Sequence, residues 1–68
     1  MNTIHFKDMN GRYVYFARDI LCVLYHKHTP NELVIEYRDK AGVNYFNFKS
    51  PFQAKWAYRK IARQLHKN

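Results

Sequence analysis

Residues 3–8 alternate, with Ile4 and Phe6 on one side of the chain and His5 and Lys7 on the other. A period of two marks a half-buried strand. Asn10-Gly11 follows, a hairpin signal because both residues tolerate the positive φ of a type I′ turn. Residues 12–17 (RYVYFA) and 21–27 (LCVLYHK) are rich in strand formers. Arg18-Asp19 interrupts the apolar run between them and predicts a bend or bulge. Thr29-Pro30-Asn31 is the next turn. Residues 32–38 alternate again, with Leu33, Ile35 and Tyr37 inward. Residues 39–42 turn the chain into 43–49, where Phe46 and Phe48 share a face.

The period then changes. Ser50 is a preferred N-cap, and Pro51 at the first helical position loses no hydrogen bond. The spacing predicts a helix over about 51–66, with Ala54, Ala57, Tyr58, Ile61 and Leu65 on one stripe. The expected fold is therefore α+β: an antiparallel β-meander of four or five strands with one C-terminal helix packed on it, a single domain over 1–68.

Charge changes the picture of that helix. The net charge is +7: residues 1–49 carry +2, and residues 50–68 carry +5 with no Asp or Glu. Opposite the apolar stripe stand Phe52, Trp56, Arg59 and Arg63, flanked by Lys55, Lys60 and Lys67. Lysines and arginines suffice to solvate a helix back, and a tryptophan there is superfluous to that task. Aromatics interleaved with cations offer base stacking and phosphate attraction together. Trp and Arg are equally the residues of protein–protein hot spots. The plain structural alternative is that Trp56 folds its ring over the sheet edge and Phe52 acts as a cap.

Little else in the chain suggests chemistry. Cys22 is the sole cysteine, which excludes an internal disulfide and fits a buried thiol in a reducing, cytoplasmic setting. His26 and His28 alternate on the third predicted strand, but a zinc site needs three or four ligands, so exposed strand histidines are expected. The five acids are scattered, with Asp19 and Asp39 read as turn caps. No phosphate-binding loop or nucleophile motif is present, so no catalysis, metal or cofactor is expected. The N-terminus lacks the apolar segment of a signal peptide. No apolar run approaches a membrane span, and the helix's apolar stripe is small and needed by the sheet, so no membrane partner is expected. The six tyrosines lie mostly on strands, where cross-strand packing within the chain is the favoured role and base stacking the other.

With these pieces in place, the layout resembles the first half of LytTR-type DNA-binding domains. The matching elements are Asp19-Ile20-Leu21, the 39–42 turn, Tyr45 and Ser50 at the helix start. In that family further strands and loops carry many of the DNA contacts, so no site residues transfer. The strand order followed by a helix is also similar to PC4-type single-strand binders. Both resemblances imply nucleic acid. The sequence thus predicts a small basic non-enzymatic nucleic-acid-binding protein, DNA or RNA, that uses Phe52, Lys55, Trp56, Arg59, Lys60, Arg63 and Lys67. The alternative is a regulatory module of phage or mobile-element type docking on an acidic protein. A homodimer through a sheet edge or the tyrosine face is compatible with both.

Overall fold

The computed structural model describes residues 3–39 and 41–66. Five strands, β1 (Thr3–Lys7), β2 (Arg12–Phe16), β3 (Ile20–Leu24), β4 (Glu32–Tyr37) and β5 (Val43–Asn47), precede one helix, α1 (Pro51–His66). The class is α+β, as the patterning predicts. The meander is not one continuous sheet, however. β1 and β2 form a two-stranded hairpin, and β3-β4-β5 form a separate three-stranded antiparallel sheet. The break is local in origin. Ala17–Asp19 winds into a single 3₁₀ turn with Ala17 buried, which redirects the chain before β3 can pair with β2.

The expected irregularity near Arg18-Asp19 is that turn, and a bulge follows it. Ile20 pairs with Tyr37 but Cys22 pairs with Glu36, so β3 holds one extra residue. Strict alternation from Ile20 would turn Cys22 and Leu24 inward. The bulge resets the phase, and Ile20 and Val23 are the buried pair. Cys22 is therefore half-buried and not a core thiol. β3 also stops at Leu24, earlier than the sequence suggests. His26 and His28 lie in the following turns, where the Thr29 N–H bonds the His26 carbonyl. They are exposed but not on a strand.

The first hairpin differs from expectation as well. Asn10 does not take a positive φ, and Gly11 alone does, at 154°. The Asp8 carboxylate organises the loop instead: its Oδ1 accepts the N–H of Asn10 at 2.8 Å and of Gly11 at 3.1 Å. This is an Asx-type turn. The result is a four-residue loop in which Lys7 pairs with Arg12 and His5 with Val14. A two-residue turn at Asn10-Gly11 would have set Lys7 opposite Val14. The β4–β5 turn uses Gly42 at φ 101°, a conformation that side chains with a Cβ rarely adopt.

The hairpin docks on the larger sheet through rings. Phe6 and Tyr13 each meet Phe46 edge-on with centroids 4.9 Å apart, and the Met9 N–H donates to the Asn47 carbonyl at 2.9 Å. Tyr37 donates to the Tyr15 hydroxyl at 2.8 Å and accepts from Asn44 at 2.6 Å. Tyr25 and Tyr58 rings lie 6.0 Å apart. Intrachain packing thus accounts for Tyr13, Tyr15, Tyr25, Tyr37 and Tyr58, and Tyr45 stays exposed. Ser50 caps α1, its Oγ accepting the Gln53 N–H at 3.2 Å. Ala54, Ala57 and Ile61 are buried against β1, β3 and β4, the small alanines letting the helix sit close. Tyr58 and Leu65 of the predicted stripe are half-buried at its margin. No helix among the described residues is long and apolar enough to cross a membrane.

Candidate functional site on the C-terminal helix

The outer face of α1 follows from its periodicity. Once Ala54, Ala57 and Ile61 are fixed inward, the residues at three- and four-residue steps opposite them are fixed outward. Phe52 is 73% exposed and Trp56 60% exposed. The Trp56 ring is therefore not folded away into the sheet. Lys60, half-buried, places its Nζ 5.4 Å from the centroid of that ring, a cation–π contact that orients both. Lys55, Arg59 and Arg63 are exposed on the same helix. Lys67 lies outside the described residues. The helix carries no acid anywhere along Pro51–His66.

The helix face is one wall of something larger. A half-open groove of about 850 Å³ runs between the first half of α1 and the β1–β2 hairpin. Phe52, Trp56 and Lys60 line it from the helix, and Lys7, Arg12 and Val14 from the hairpin. Lys49, on the link between β5 and α1, adds a fourth cation to its wall. Lys7, Arg12 and Lys49 carry no signal in the linear sequence that joins them to the helix. They arrive by the ring packing and the Met9–Asn47 hydrogen bond that hold the hairpin tip beside the helix start.

Asp8 is the one acid lining this groove. It is buried, its Oδ1 is taken by two backbone N–H groups, and its Oδ2 has no hydrogen-bond partner among the described residues. Burial, and then the Asp8 charge, raises the pKa of the neighbouring Tyr13 phenol. The groove therefore holds a neutral phenol, a buried carboxylate and four cations toward solvent. Lys7 and Arg12 face each other directly across the hairpin, so two positive charges share one cross-strand position. No described carboxylate is in ion-pair contact with either.

A second groove, of about 630 Å³, flanks the other half of the helix and contains Cys22, Tyr58, Leu65 and Arg38. Its polar groups are already engaged. The Cys22 thiol donates to Glu36 Oε1 at 3.1 Å, and Arg38 Nε donates to the Arg18 carbonyl at 3.1 Å. The hydrogen bond to Glu36, then burial, then the Glu36 charge push the thiol pKa up, which disfavours the thiolate a nucleophile requires. The side-chain turn cap is supplied by Asp8, whereas Asp19 contributes its backbone carbonyl to the Arg38 N–H. Among the described residues, no group of three or more His, Cys, Asp or Glu is placed to hold a metal ion.

The arrangement can offer aromatic faces and positive charge to a planar, anionic ligand. The chain matches no protein-family model, no curated protein and no solved structure, so its chemistry is read from this geometry alone.

Proposed function

We propose that this chain is a small basic, non-enzymatic nucleic-acid-binding protein whose contact surface is the outer face of α1. The observation that carries the reading is the pair of exposed rings, Phe52 and Trp56, standing among Lys55, Arg59, Lys60 and Arg63 on a helix without a carboxylate. Leaving a tryptophan in water forgoes a burial term of about 1.5–3 kcal/mol typical of large apolar side chains. Binding to a base or sugar recovers it. The cations neutralise phosphates and release counterions, which makes affinity fall with salt.

The test uses Trp56, the sole tryptophan, as its own reporter. Titration with short oligonucleotides is expected to quench its fluorescence saturably. About four phosphate contacts give a log–log salt slope near −3 to −4. Binding without salt dependence, or no response at low salt, contradicts the reading.

A second reading, docking on an acidic protein, is favoured by Met9 and Val14, exposed apolar side chains that line the same groove. The two separate cleanly by mutation. Nucleic-acid binding is hurt more by changing Arg59 and Arg63 together, and protein docking more by Trp56→Ala.

A further inference from the structure

We infer that the groove between the β1–β2 hairpin and α1 takes a single strand of nucleic acid. An unpaired base lies against Phe52 and Trp56, and a backbone phosphate is held between Lys7 and Arg12. This rests on the nucleic-acid reading of the helix face and adds to it the strandedness of the ligand and two binding residues on a different element.

Two independent observations carry it. The first is the shape and lining of the groove. Its volume of about 850 Å³ is that of a small-molecule pocket, roughly 300–1,000 Å³, and not of a duplex-sized channel. Its exposed rings can stack only on a base whose face is open. Bases inside a duplex already cover one another's faces, whereas single-strand binders use such aromatic platforms.

The second is the charge arrangement at the hairpin tip. Lys7 and Arg12 occupy directly opposed positions on one face of the hairpin. Side chains so placed have Cβ atoms about 4.5–5.5 Å apart, and like charges there destabilise a hairpin. No described carboxylate relieves them. The fold therefore tolerates an unfavourable pair, on the rim of the aromatic groove, that one phosphate would convert into a favourable triad. Asp8 does not offset them, because it is buried and its Oδ1 is saturated by the loop amides.

The experiment compares the full chain with a Lys7→Gln/Arg12→Gln variant. Each is titrated, by Trp56 fluorescence, with one oligonucleotide as a single strand and as a blunt duplex. The thermal midpoint of each free protein is recorded alongside. The single strand is expected to bind the wild type roughly tenfold or more tightly than the duplex, the weight of one stacked base. The double substitution is expected to weaken single-strand binding and to shrink the salt slope by about 1.4, from two lost phosphate contacts at about 0.7 each. The free variant is expected to melt at the same temperature or higher, because a repulsion has been removed. Loss of binding together with gain or retention of stability is a combination that a merely structural pair does not produce.

Duplex binding as tight as single-strand binding overturns the inference. So does a salt slope untouched by the double substitution, or a variant that melts lower or fails to fold, since that contradicts the repulsion itself. In each of these cases the wild type still responds to nucleic acid and the helix-face reading stands. No response of wild-type Trp56 to either ligand removes that reading instead.

Discussion

Ile61 and Trp56 are both large and apolar, and both sit on α1. Ile61 is 0% exposed and Trp56 60% exposed. They differ by five positions, about 140° around an axis of roughly 3.6 residues per turn. Hydrophobicity does not separate them, but angular position relative to the sheet does. The Ile61 side is closed by β1, β3 and β4, with Ala54 and Ala57 keeping the distance short. The Trp56 side opens into a groove whose other wall is the basic tip of a hairpin. A buried apolar side chain is explained by folding, and an exposed ring cradled by cations is left for a ligand to explain.

Three substitutions test that contrast. Ile61→Ala removes buried methylenes and leaves a cavity, so a stability loss of about 2–5 kcal/mol is expected. In a domain of this size the melting temperature then falls by at least about 10 °C, read by thermal or urea unfolding. A fall of only a degree or two would mean that the helix is not seated as described. Trp56→Ala is the opposite case. It is expected to cost about 1–3 kcal/mol of nucleic-acid affinity while moving stability by no more than about 0.5 kcal/mol. A large stability loss on Trp56→Ala would return that ring to the core.

The smallest expected effect sits on the inner side, at Tyr37. Burial first, and then its hydrogen bond to Tyr15, raises the Tyr37 pKa well above the ordinary tyrosine value. The folded state thus holds this proton more tightly than the unfolded chain. The associated stability is fully present below about pH 10 and is lost as pH rises further, because only the unfolded chain ionises readily there. Melting temperatures measured from neutral to strongly alkaline pH should fall above that point. Tyr37→Phe should make the fall shallower, and an unchanged slope would place the alkaline sensitivity elsewhere.

Legibility in the sequence follows the range of the interactions. The strand phases of residues 3–8 and 32–38, the Ser50 cap and both faces of the helix could be read directly, because each depends on residues within one or two turns of chain. The type I′ turn at Asn10-Gly11 was misread because a competing local acceptor, Asp8, claims the loop amides. The third strand was drawn too long because β-propensity continues through Tyr25 and His26 after pairing with β4 has ended. Among the site residues, Phe52, Lys55, Trp56, Arg59, Lys60 and Arg63 were found from helical spacing. Lys7, Arg12 and Lys49 were not, since their proximity to the helix depends on contacts across some forty residues of chain.

By itself the sequence determined the element order, the inward and outward faces of each element and the concentration of positive charge on one helix. These are consequences of local backbone geometry and side-chain polarity. Only the tertiary structure decided that the meander splits into two sheets, that a four-residue loop sets Lys7 against Arg12, and that the hairpin tip lies beside Phe52 and Trp56 to close a groove. Those outcomes come from register and ring packing between distant segments, where the favourable contact is made by residues that no sequence period connects.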